Sequence, residues 1–135
     1  MKDEKGRFLV VSNRLPVTLT CKDNTWEGKP SSGGLVNALN PVLKNRGGFW
    51  IGWPGACEDL RRPVLREILG PISKKCGYRF MPVLLTENDI EEYYYGFSNS
   101  VLWPLFHDFQ TRCSFLPEYW EGYLRTNEKF AKVVH

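Results

Sequence analysis

Hydrophobic positions along the chain switch between continuous or alternating runs and runs with helical spacing. Arg7-Phe8-Leu9-Val10-Val11-Ser12-Asn13 is an apolar run closed by small polar residues, which predicts a strand buried on both faces, as in a parallel sheet. Phe49 to Trp53 predicts a second strand ended by Pro54-Gly55. Tyr78 to Leu85 predicts a third, which Pro82 places near an edge. Leu35, Leu39, Val42 and Leu43 have helical spacing, with Ser31, Ser32 or the glycines as a start and Gly47-Gly48 as a stop. Pro41 inside that run predicts a kink or two pieces. Asp59 to Leu69 predicts a helix with Leu60, Val64, Leu65, Ile68 and Leu69 inward, ended by Gly70-Pro71. Thr86-x-x-Asp89 reads as a capping box opening a helix through Ile90 to Tyr95; Gly96 then breaks it, and Ser98 to His107 forms another helical piece. Pro117 opens a long amphipathic helix with Trp120, Tyr123, Leu124, Asn127, Phe130, Ala131 and Val134 on one side, which makes Trp120 a core residue.

Between the first strand and the first helix lie Asn13, Pro16, Asp23-Asn24, Gly28, Pro30, Ser31, Ser32, Gly33 and Gly34, read as one long connecting loop. Strands alternating with helices predict an α/β fold, a mostly parallel Rossmann-like sheet with flanking helices. The last predicted helix reaches His135 with no strand after it, whereas a doubly wound domain continues with one. A domain cut short is the expectation.

Composition narrows the function classes. With 135 residues, 42% hydrophobic and 24% charged, the chain suits one core and one domain. Eighteen basic against fifteen acidic residues give a charge of only +3, and no Lys/Arg run forms a nucleic-acid patch; a small anion remains compatible. Cys21, Cys57, Cys76 and Cys113 form no C-x-x-C pair, and His107 and His135 are the two histidines, so no metal site is expected. Phe8 to Val11 is too short for an export signal or a membrane span. The expectation is a cytoplasmic protein with reduced cysteines and no membrane partner.

Two constellations could carry chemistry. Strand 1 delivers Ser12-Asn13-Arg14, and Gly33-Gly34 stands at a helix start. Arginine can fork onto a phosphate, and exposed N–H groups at a helix start favour anions. An ordinary surface arginine beside a turn fits the same spacing. The absence of G-x-G-x-x-G after the first strand disfavours a dinucleotide site. Aromatic residues cluster in Trp50-Ile-Gly-Trp53-Pro-Gly and Tyr93-Tyr94-Tyr95-Gly-Phe97, a composition that suits either a sugar-binding wall or a core. Glu87, Asp89, Glu91 and Glu92 complement a helix start and solvate a face rather than catalyse. His107 reads as structural.

VVSNRLPVTL, SSGGLVNAL, WIGWPG, EEYYYGFSNSVLWPLFH and WEGYLRTNEKFA, in that order, resemble glycosyltransferase family 20, the trehalose-6-phosphate synthases, from about Arg7 to Val134. The resemblance implies a GT-B enzyme of two Rossmann-like domains. It further implies metal-free, retaining transfer of glucose from UDP-glucose to glucose 6-phosphate, with no cofactor and no catalytic side chain within this segment. By motif, Arg14, Trp53, Tyr94 and Trp103 would bind glucose 6-phosphate, with Trp50 less directly, and Gly33 and Gly34 would lie against the donor UDP-glucose. Residues 1–6 would be an extension and 7–135 a partial N-terminal domain. The family's HDYH segment and the C-terminal domain that completes the donor site are not in this sequence, so the isolated chain is expected to be inactive. Asp108 stands where the family pattern has an aromatic residue, so the resemblance gives His107 no role. Alternatives are a non-catalytic glucose-6-phosphate-binding module pairing with a synthase subunit, a homo-oligomer, or a relative with another acceptor, against which SNRLP and GWPG weigh.

Overall fold

A computed structural model describes residues 8–56 and 60–135. The chain divides into two compact units, Met1–Val83 and Leu84–His135.

The first unit is α/β. Strands β1 (Leu9–Arg14), β4 (Phe49–Trp53) and β5 (Arg79–Pro82) form a parallel sheet in the order β1-β4-β5, with Val10, Trp50 and Phe80 in one row and Val11, Ile51 and Met81 in the next. The central strand buries Trp50 and Ile51. Pro82 falls at the end of edge strand β5, as its missing N–H requires. Strand β1 departs from the expectation of burial on both faces. It too is an edge of this sheet, and Leu9 and Val11 are 44% and 51% exposed while Val10 points inward. An apolar run encodes hydrophobicity but not how many neighbours a strand has.

The stretch expected to be a loop holds a hairpin, β2 (Val17–Lys22) and β3 (Thr25–Pro30), paired antiparallel from Val17↔Pro30 to Lys22↔Thr25. Asp23 and Asn24 both take left-handed conformations (φ 49 and 61), the type I′ geometry that matches strand twist. Buried Val17 and Leu19 alternate with exposed Thr18 and Thr20.

Helix α1 (Gly34–Arg46) starts behind Gly33 and contains Pro41 within a single helix. Gly47 stops it, its N–H bonding the Leu43 carbonyl. Of the expected inward face, Leu43 is fully buried while Leu35 and Val42 are exposed. Helix α2 (Arg62–Cys76) runs past Gly70-Pro71, where the sequence predicted its end. Pro71 and Glu67, whose carbonyl loses its helical donor, are both exposed, so water can satisfy that carbonyl. The extra turn is held because Ile68 and Ile72 pack directly over Gly28 of the hairpin, where a β-carbon would sit 2.8 Å from each. Gly77 (φ 83) caps the helix. Asp59, the predicted start, lies outside the described residues.

The second unit is helical. Thr86 and Asp89 form the predicted capping box at α3 (Glu87–Asp89), each backbone N–H bonded by the other's side chain at 2.9 and 3.0 Å. A π-helix (Ile90–Leu102), the short α4 (Trp103–Phe106) and, after a 3-10 turn at Gln110–Arg112, α5 (Pro117–Val134) follow. Gly96 does not break the run. It is where the π-helix meets α5, with the Tyr119 ring 2.6 Å from where a β-carbon would be. The buried face of α5 carries Gly122, Thr126 and Phe130. Trp120 is therefore corrected from core to surface: it is 47% exposed and lies across Phe97 and Tyr123. Small residues at Gly122 and Thr126 let the helices approach closely, and such residues are invisible to a hydrophobic stripe.

Candidate functional site

Two parallel strands end together, and their last residues are Arg14 of β1 and Trp53 of β4, partners in the sheet register. Ligands of open α/β sheets bind beyond the carboxyl ends of strands. The register shifts between Val11 and Arg14, where Gly52 permits close backbone approach: a β-carbon there would be 2.7 Å from the Leu15 nitrogen and 2.8 Å from the Arg14 carbonyl carbon. Leu15 N–H bonds the Trp53 carbonyl at 2.8 Å, closing the pair. Ser12 Oγ donates to the Arg14 carbonyl at 2.6 Å and accepts from Trp50 Nε1 at 2.8 Å. Trp50 thus braces Ser12-Asn13-Arg14 from within the core; being fully buried, it forms no exposed wall.

The Arg14 guanidinium carbon lies 5.2 Å from the centroid of the Trp53 ring, within cation–π range. Trp53 Nε1 donates to the Ala56 carbonyl at 2.9 Å, which fixes the indole beneath it. Gly55 (φ +85) completes the cradle, for a β-carbon there would be 2.5 Å from Arg14 Nη2. Arg14 makes no ion pair among the described residues. An exposed guanidinium backed by an indole and without a carboxylate partner among the described residues can receive an oxyanion, and its forked donors suit phosphate. Beside it, the buried Asn13 Oδ1 has no hydrogen-bond partner among the described residues. Gly55 and Asn13 stand inside the segments singled out from the sequence but received no site role of their own there. The only hints were the turn residues after Trp53 and the polar closure of strand 1.

Gly33 and Gly34 also lie in the first unit, at the start of α1, with open space where their side chains would be. The first turn of α1 carries no acidic residue and no side-chain cap, and N–H groups at such a helix start favour anions.

The remaining predicted site residues belong to the second unit. Tyr94 is half-buried on the π-helix, its ring edge-on to Tyr95 at 5.1 Å. Trp103 opens α4 and is 53% exposed. Its ring stacks on His107 at 4.2 Å and lies 6.4 Å from Phe109, with interplanar angles of 20° and 15°.

The acidic bunch acquires a structural role. Asp89 is buried, bonded to Arg125 Nε at 2.9 Å and to Lys129 Nζ at 2.5 Å, while Glu92 takes Arg125 Nη2 at 2.6 Å. Burial pushes the Asp89 carboxyl up, but the bonds from Lys129, the Thr86 N–H and Arg125 outweigh it and hold the group near 2. Among the described residues no group of three His, Cys, Asp or Glu could hold a metal ion, and no helix is long and apolar enough to cross a membrane.

The sequence matches the model of glycosyltransferase family 20 over residues 6–135. It is 45% identical over 128 residues to the trehalose-6-phosphate synthase of Mycolicibacterium vanbaalenii, covering 94% of this chain and 26% of that protein. The chain thus spans about a quarter of the length of the curated relatives it matches. Among solved structures it is similar to an α,α-trehalose-phosphate synthase (UDP-forming) from Burkholderia xenovorans in complex with glucose-6-phosphate, with TM-score 0.65, 29% identity, and coverage of 96% of this chain and 25% of that one. It is similar too to the E. coli trehalose-6-phosphate structure bound with UDP-2-fluoro glucose, with TM-score 0.66, 32% identity and coverage of 96% and 24%.

Proposed function

This chain belongs to glycosyltransferase family 20, the trehalose-6-phosphate synthase family, and from that premise we propose that it forms the acceptor side of such a synthase. The reaction is transfer of glucose from UDP-glucose to glucose 6-phosphate, giving trehalose 6-phosphate with retention at the anomeric carbon. Arg14 takes the acceptor phosphate or the sugar edge beside it, and Trp53, Tyr94 and Trp103 take the sugar. Gly33 and Gly34 meet the donor diphosphate at the start of α1.

The observation that carries this reading is the Arg14–Trp53 pair at the carboxyl ends of adjacent parallel strands: a cation backed by an indole and lying against the turn at Gly55. Its chemistry suits a phosphorylated sugar, one charge for the phosphate and one flat apolar face for the ring. The similar Burkholderia protein in complex with glucose-6-phosphate supports the same ligand. Retaining transfer in which the departing phosphate assists the incoming hydroxyl relies on positioning and charge stabilisation. A site without a general base among its predicted residues is compatible with that.

Titration of the chain with glucose 6-phosphate, followed by tryptophan fluorescence, tests the proposal. Saturable binding that weakens at least roughly tenfold in Arg14→Ala is expected, since a charge-assisted bond contributes about 1.5–3 kcal/mol. Binding that survives Arg14→Ala unchanged, or no binding by a folded wild-type chain, rules out an acceptor half-site preformed in this segment.

A further inference from the structure

We propose that His107 and Phe109 are positioning residues that hold the Trp103 indole in one orientation, in an aromatic ladder built by the turn that ends α4. The ladder runs His107, Trp103, Phe109, Arg112: 4.2 Å from His107 to Trp103, 6.4 Å from Trp103 to Phe109, and 5.3 Å from the Arg112 guanidinium carbon to the Phe109 ring. The inference rests on the reading of Trp103 as an acceptor-site residue, and it extends that reading to side chains to which the family motif gave no part.

Three features make the ladder a built arrangement rather than a chance contact. First, His107 Nδ1 lies 2.7 Å from the Trp103 carbonyl oxygen. A carbonyl can only accept, so Nδ1 carries the proton and the imidazole is fixed over the residue it stacks on. Second, Asp108 takes the left-handed conformation (φ 60) that ends a helix, and the His107 and Phe109 N–H groups both reach back to the Pro104 carbonyl, at 3.2 and 2.8 Å. That reversal brings Phe109 back towards Trp103. An aspartate tolerates it where an aromatic or β-branched side chain would be strained. Third, Trp103 is 53% exposed, so burial alone does not hold it, and stacked neighbours supply the order that a core would otherwise give.

The test separates the ladder from the acceptor reading. In a chain with ¹⁵N-labelled tryptophan, the Trp103 indole N–H resonance is assigned by its loss in Trp103→Phe. His107→Ala is expected to shift or broaden that resonance without ligand and to weaken glucose-6-phosphate binding roughly two- to tenfold, the range set by one aromatic contact. His107→Phe, which keeps the stack and loses the bond, should restore most of both. An unmoved Trp103 resonance in His107→Ala overturns the ladder. A moved resonance with undiminished binding overturns its positioning role. If Trp103→Ala binds glucose 6-phosphate like the wild type, the acceptor reading of Trp103 fails, and the use assigned to the ladder fails with it.

Discussion

Gly52 and Gly55 stand three residues apart, and an added methyl group would meet different resistance at each. At Gly52 the methyl would press on backbone, 2.7 Å from the Leu15 nitrogen and 2.8 Å from the Arg14 carbonyl carbon, neither of which can yield without parting β1 from β4. Gly52→Ala should therefore lower stability by about 1–3 kcal/mol, as overpacking does, read as a shift in urea midpoint. At Gly55 the methyl would meet the far end of the Arg14 side chain, which can swing away. The cost there is the strain of a side chain at φ +85, on the order of 1 kcal/mol. Displacing the guanidinium from the Trp53 face should show chiefly as a weaker affinity for glucose 6-phosphate. An Ala at 55 that leaves that affinity intact would mean that the cradle does not set the arginine.

Between elements, small residues decide the packing of the second unit. A β-carbon at Gly122 would collide with Glu92 Cβ, so Gly122→Ala should destabilise by about 1–3 kcal/mol. Trp120→Ala, at a half-exposed ring, should cost less than the roughly 3–5 kcal/mol of a buried tryptophan. Urea midpoints for the two variants check the order, and the reverse order would restore Trp120 to the core. The same physics explains what was legible in the sequence. Strand β4, the capping box at Thr86 and the start of α5 at Pro117 depend on local residues and were readable. The hairpin turned on Asp23-Asn24 adopting two left-handed conformations, which those residues permit but do not announce. The persistence of α2 beyond Pro71 depended on Gly28, some forty positions away, giving room for Ile72. Arg14 and Trp53 were legible because each closes an apolar run, whereas their apposition is a product of sheet register.

Over the whole molecule, the two units carry their pH sensitivity at opposite ends of the scale. Asp89 in the second unit is held near 2 against an ordinary value of 3.8, so between those values the native state binds fewer protons than the unfolded chain. Its contribution is complete above about pH 4 and is lost as pH falls towards 2. With screening at the half-exposed Arg125 included, that contribution is on the order of 1–2 kcal/mol. In the first unit, burial beside Trp50, with Cys76 nearby, pushes the Tyr78 phenol from 10.0 up to about 12, and its hydroxyl donates to Asn40 Oδ1. There the native state keeps a proton that the unfolded chain releases. That stability is complete below pH 10 and is lost as pH rises through 12. Asp89→Asn should flatten the acid limb of a stability profile and leave the alkaline limb unchanged; Tyr78→Phe should do the opposite. Urea midpoints of the two variants from pH 2 to pH 12 distinguish them. An acid limb that persists undiminished in Asp89→Asn would show that the Asp89–Arg125–Lys129 cluster is not what acid dissolves.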